Sequence, residues 1–161
     1  IIPALTDFKV ECTFSFSLKA AGSLGILVSF GYDPATGRGE TLRISRPHDK
    51  EVLILENGSM RVNKFTAEET KEFPVKDEVF AAPFDVKLER KGTLLTVDVL
   101  GVKASFKVKK SSGMIALSRD HFYDILKLTR MEIYGTNAQK GKKIASFTVS
   151  LPQQHTFYPI Y

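Results

Sequence analysis

The chain of 161 residues has no tryptophan, one cysteine, three histidines and no long apolar run. Each shortage removes a class of function. Without tryptophan, the indole ring most often stacked beneath a sugar is missing, although 12 Phe and 5 Tyr supply ample aromatic surface for a core. A single cysteine, Cys12, excludes an intrachain disulfide and a CxxC site. It lies in an alternating apolar pattern, where a thiol behaves as a small buried hydrophobe, not as the exposed nucleophile of an electropositive site. No stretch reaches the roughly 18 apolar residues of a membrane-spanning helix. His48, His121 and His155 are far apart and lack metal-ligand spacing, so they read as solvent-facing or capping residues. There is also no nucleophile elbow, P-loop or dinucleotide fingerprint, and no alternation of acidic oxygens for calcium. No cofactor and no metal is implied.

What is present describes one ordinary globular domain. The hydrophobic fraction is 43% and the charged fraction 25%, and the length suffices to bury well over half of the unfolded surface. A net charge of +5 permits attraction to anionic glycans, membrane surfaces or nucleic acid without requiring any of them. No recognition helix, RNA-binding aromatic signature or zinc spacing supports specific nucleic-acid binding. The sequence opens Ile1-Ile2-Pro3 without methionine, which points to a cut domain or a processed product. An extracellular location follows from that reading, with the cytoplasm left open. Asn57-Gly58-Ser59 fits the N-glycosylation pattern, but Asn-Gly is equally a turn signal, and the turn is the safer reading.

Strand rhythm dominates. Between Lys9 and Lys19, Val10, Cys12, Phe14, Phe16 and Leu18 share one face. Leu24 to Tyr32 reads as a second strand, closed by the turn Asp33-Pro34-Ala35-Thr36-Gly37. Glu40 to Arg46 alternates again up to Pro47, and Glu51 to Glu56 is followed by an expected Asn57-Gly58 hairpin into Ser59 to Phe65. Thr66 to Lys71 tolerates helix but is too short to form one alone. Residues 84–90, 94–100 and 102–109 form a meander, and short turns between alternating strands favour a sandwich or barrel over an α/β fold. One short helix is expected near residues 118–127, with Ser118 as its cap and Phe122, Ile125 and Leu126 inward. Met131 to Tyr134 and Ile144 to Leu151 are the last strands. The expected domain is 1–161, with a core of about 8–151 and an extended tail over 152–161.

Charged groups offer few sites. Glycoside hydrolysis needs two carboxyl groups facing each other. Glu68 with Glu69 are neighbours in one segment, and Asp85 and Asp98 occupy outward hairpin positions where lysines would pair them. Lys107, Lys109 and Lys110, and Lys140, Lys142 and Lys143, form two basic clusters. Lysine on exposed strands blocks edge-to-edge aggregation, and the same clusters could dock a sulfated or sialylated glycan or an acidic protein.

Several segments together resemble a known family. Phe14-Ser15-Phe16-Ser17-Leu18-Lys19-Ala20 and Gly25-Ile26-Leu27-Val28-Ser29-Phe30 are similar to the opening strands of galectins. Glu68-Glu69-Thr70-Lys71-Glu72-Phe73-Pro74-Val75 resembles the stretch after the galectin sugar-binding tryptophan. The run from Pro83 to Leu88 and that from Leu95 to Gly101 resemble the family's late hairpin. The resemblance covers most of the chain and implies an all-β fold: an antiparallel β-sandwich of jelly-roll type, as in galectins and concanavalin-like lectins. The galectin His, Asn and Arg positions fall on Ser29, Gly31 and Asp33, the tryptophan near Phe65, the Glu on Glu68 and the following Arg on Thr70. Only Glu68 matches in kind, so the resemblance carries the fold further than the β-galactoside. It implies a non-enzymatic recognition module that binds a glycan or a protein partner. Arg43, Arg46, Arg61, Asn63, Phe65 and Glu68 are the candidate ligand-binding residues, each of which could equally be an ordinary exposed strand residue. A structural or assembly domain of a larger polypeptide is the alternative, with homo-oligomers through edge strands left open. A glycan hydrolase comes third, for want of a carboxylate pair.

Overall fold

Alternating apolar and polar side chains give a strand with one dry and one wet face. The first strand, β1 (Phe8–Phe16), shows this residue by residue: Phe8, Val10, Cys12, Phe14 and Phe16 are buried and the residues between them half-buried. The computed structural model describes residues 7–16, 24–33, 35–47, 50–61, 64–109, 114–119, 126–135, 142–150 and 158–159. After β1 come β2 (Leu24–Asp33), β3 (Arg38–Arg46), β4 (Val52–Arg61), β5 (Lys64–Pro74), a 3-10 helix (Asp77–Ala81), β6 (Phe84–Lys91), β7 (Leu94–Val99), β8 (Val102–Lys107), β9 (Met114–Arg119), β10 (Leu126–Gly135), β11 (Lys142–Ser150) and β12 (Tyr158–Pro159). The first sheet runs β11-β10-β1-β6-β7-β8 and the second β12-β9-β2-β3-β4-β5. Every pairing between these strands is antiparallel. The molecule is an all-β sandwich, as the strand rhythm predicts.

One apolar core fills the space between the sheets. Phe8, Val10, Cys12 and Phe14 of β1, with Val86, Leu88, Leu95 and Val97, face Ile26, Val28, Phe30, Leu42, Ile44, Leu53 and Leu55. Phe80 of the 3-10 helix closes one end, edge-on to Phe16 at 5.7 Å and to Phe84 at 5.7 Å between ring centroids. Burial pushes the Cys12 thiol up to about 12, so it stays protonated and serves as core packing. The outer face of the first sheet is a chequerboard of opposite charges. Lys87 stands between Glu11 and Asp98 in cross-strand register, and Asp98 faces Lys103 on its other side. Asp85 accepts a hydrogen bond from Thr13 at 2.6 Å. Both aspartates are therefore surface partners, in line with their outward positions. At the open side of the sandwich, Lys71 of β5 donates to the Ser105 carbonyl of β8 at 2.6 Å and ties together the edge strands of the two sheets. Among the described residues no helix is long and apolar enough to cross a membrane.

Two expectations need correction, the helix near 118–127 and the Asn57-Gly58 turn. The helix expected near 118–127 is strand at both ends: Ser118 and Arg119 finish β9 and Leu126 and Lys127 begin β10, while 120–125 lie outside the described residues. Ser118 is buried beside Leu27 in register, so sheet pairing overrides its capping preference. Thr66 to Lys71, too short for a helix of its own, is strand paired along β4. Asn57-Gly58 is not the expected turn, because β4 runs straight through it and the chain reverses between Arg61 and Lys64. Asn57 is 3% exposed and its side chain bonds the Glu40 carboxylate, whose acidity is altered by that contact. Gly58 is required because β5 passes too close for a side chain: a Cβ there would sit 2.0 Å from the Thr66 carbonyl oxygen.

Candidate functional site

In β3, Leu42 and Ile44 point into the core, so Thr41, Arg43 and Ser45 point to the outer face of the second sheet. The same parity puts Glu56 on that face of β4, directly opposite Arg43, and Thr70 of β5 opposite Glu56. These three form a polar row across the strands. Arg43 Nε lies 3.6 Å from Glu56 Oε1, and Thr70 Oγ1 donates to Glu56 Oε2 at 3.5 Å. Beside the row, a small second apolar cluster of Leu27, Tyr32, Met60 and Ala116 supports the half-buried Phe65 ring. The Arg43 guanidinium stands 5.9 Å from the centre of that ring, within cation–π range. With 28% of its side chain exposed, Arg43 is anchored yet reachable from solvent.

A second feature lies where β3, β4 and β5 approach the chain after β8. It is a cleft of about 400 Å³ lined by Arg38, Glu40, Ser59, Arg61, Glu68 and Lys109, among others. Glu40 is half-buried there, and both its oxygens accept the Lys109 backbone N–H at 3.0 Å. Burial raises its pKa, and the bonds from Lys109 and Asn57 oppose that rise. Arg90, 1% exposed, reaches into the same end of the sandwich and donates to the carbonyls of Gly92 and Lys109.

The six candidate residues thus divide. Arg43 and Phe65 meet on the outer face; Arg61 and Glu68 meet in the cleft, with Glu68 the extra residue of a bulge in β5. Asn63 lies outside the described residues. Arg46 belongs to neither place: its side chain is 4% exposed and donates to Asp77 at 2.5 Å, fixing the 3-10 helix against the end of β3. The resemblance-derived positions on β2 present no ligand-binding trio. Ser29 is buried against Thr41 with 2.5 Å between the hydroxyl oxygens, Gly31 turns with φ of 62°, and Asp33 accepts bonds from Ala35 N and Thr36 Oγ1. Sequence reasoning missed Glu56, Arg38 and Glu40, and picked out Lys109 only as a member of the basic cluster with Lys107 and Lys110. Glu56 could have been found only from the register that sets it against Arg43, and the others only from the folding of the Lys109 segment onto β3. Among the described residues no group of three or more His, Cys, Asp or Glu side chains could hold a metal ion.

No family model and no curated protein matches the sequence. The fold does have solved counterparts. It is similar to sheep galectin-11, solved in complex with glycerol, with a TM-score of 0.52 and 15% identity over 80% of this chain and 90% of that one. It is similar to chicken galectin 2, with a TM-score of 0.50 and 10% identity over 78% and 88% of the two chains. An ancestral congerin gives 0.53 and 14% over 81% and 94%. The architecture is therefore a galectin-like sandwich, and at these identities the likeness is one of fold.

Proposed function

We propose that this chain is a non-enzymatic recognition module that binds a glycan through the outer face of its second sheet, at the β3–β4–β5 end. The observation that supports this most is the placing of the Phe65 ring beside the Arg43–Glu56–Thr70 row on one half-exposed patch. A sugar ring has an apolar face and a rim of hydroxyls. Phe65 offers a flat apolar surface to the first, and Arg43 and Glu56 offer a donor and an acceptor to the second. Glu56 and Phe65 hold the guanidinium in place before any ligand arrives, which lowers the ordering cost of binding. A phenyl ring is a smaller platform than an indole, so single-site affinity is weak and gains most from multivalent display.

The test is binding to an array of neutral glycans by the intact chain and by Phe65→Ala and Arg43→Ala. Signal on a subset of glycans, reduced about tenfold in each variant while the unfolding midpoint holds, is the expected result. Absence of binding to every glycan, neutral or anionic, together with a stable homodimer or partner complex in solution, would overturn it in favour of an assembly domain.

A further inference from the structure

The arginines with described side chains are Arg38, Arg43, Arg46, Arg61, Arg90 and Arg130. Four are committed within the fold. Arg43 pairs with Glu56, Arg46 with Asp77 and Arg130 with Glu132, and the buried Arg90 donates to the carbonyls of Gly92 and Lys109. Among the described residues Arg38 and Arg61 form no ion pair, and both line the same cleft of about 400 Å³. Lys109 lines it as well. The nearby Glu40 turns its carboxylate to the Lys109 backbone amide and the Asn57 side chain, and with Glu68 it leaves two acidic residues against three basic ones in the lining.

Two arginines and a lysine lining one small cleft are suited to a tetrahedral oxyanion, since the guanidinium fork makes paired bonds to two oxygens. The remaining lining narrows the ligand. Exposed Glu68 and Ser59 carry oxygens that accept hydrogen bonds from hydroxyl groups, and Glu68 repels a second negative charge. A ligand with one oxyanion and several neighbouring hydroxyls meets all of these groups, whereas a continuous polyanion meets Glu68 unfavourably. The volume falls in the range of small-ligand sites. We infer that this cleft binds the sulfate group of a sulfated sugar, with Arg38, Arg61 and Lys109 holding the sulfate and Glu68 and Ser59 accepting from ring hydroxyls. The inference rests on the reading of the chain as a glycan-recognition module and gives that module a charged subsite.

Calorimetric titration at low ionic strength with a sulfated disaccharide, the same disaccharide without sulfate, and sodium sulfate tests it. The sulfated form should bind at least about tenfold more tightly than the other two, and the advantage should shrink as salt is added. Arg38→Gln and Arg61→Gln should each remove about tenfold of that advantage and leave neutral-glycan binding and the unfolding midpoint unchanged. Arg38→Lys should fall between, keeping charge but losing the fork. Equal affinity for the sulfated and unsulfated sugars would overturn the inference. So would sodium sulfate binding as tightly as the sulfated sugar, which would make the cleft a simple anion site. Loss of neutral-glycan binding with the sulfate advantage intact would count against the outer-face site alone and support the cleft.

Discussion

Glu40 shows how one side chain ties the candidate site to stability. Its carboxylate lies at the end of the sandwich, where it receives the Lys109 amide from the segment after β8. Burial raises its pKa above the ordinary 4.5; the bonds from Lys109 and Asn57 and the charges of Arg90 and Lys109 offset only part of that. The folded state therefore keeps the Glu40 proton to higher pH than the unfolded chain does. In the window that opens near 4.5, the unfolded state binds fewer protons, so this group's contribution to stability falls as pH rises. Glu40→Gln cannot titrate. Urea unfolding of both proteins from about pH 4 to about pH 7 should show the intact chain losing ground to Glu40→Gln as pH rises. A difference that stays constant with pH would contradict this account.

At the scale of elements, β4 and β5 pack so closely that one glycine decides their pairing. In Gly58→Ala the new methyl would lie 2.0 Å from the Thr66 carbonyl and 2.9 Å from the Ala67 Cα, both of them backbone. Relief requires the β5 bulge to move, at a cost of about 3 kcal/mol. Gly92→Ala, where nothing lies within 4 Å but φ is 60°, should cost only about 1 kcal/mol. Urea midpoints of the two variants rank them, and a Gly58→Ala as stable as Gly92→Ala would show that the strands separate freely. This glycine also marks how far the sequence can be read. The alternation of Val10 to Phe16 and the hairpin of 84–90 with 94–100 were legible because a strand's period is local. The role of Asn57-Gly58 was not, since whether an Asn-Gly pair turns or lies flat depends on what passes beside it. Candidate residues fared likewise. Arg43 and Phe65 stand out by type, but their meeting depends on β5 folding back along β4. Arg46 is of the same type as Arg43 but three positions on, so the strand's alternation turns it to the opposite face, where it is buried against Asp77.

At the scale of the whole molecule, the order of strands is not the order of the chain. β1 pairs with β6 and β10, and β2 pairs with β9, so each sheet closes only when late segments return to early ones. Such non-local pairing makes for slow folding, in the range of milliseconds to seconds. This bears on Asn57, whose amide lies covered beneath Glu40 and β5 once the sandwich has closed. Its Asn57-Gly58-Ser59 triplet remains a valid acceptor for a glycosylating enzyme, but only on a chain still emerging or unfolded. Modification and folding are then rivals in time, because a glycan on Asn57 cannot be housed between β3 and β5. Passed through a secretory host, the folded fraction should have the unmodified mass by mass spectrometry, and any glycosylated chains should be found among the unfolded material. A glycan on Asn57 in the folded protein would mean that this end of the sandwich opens. The buried asparagine thus works as a record of the molecule's history: an unmarked residue reports a chain that closed before the enzyme reached it.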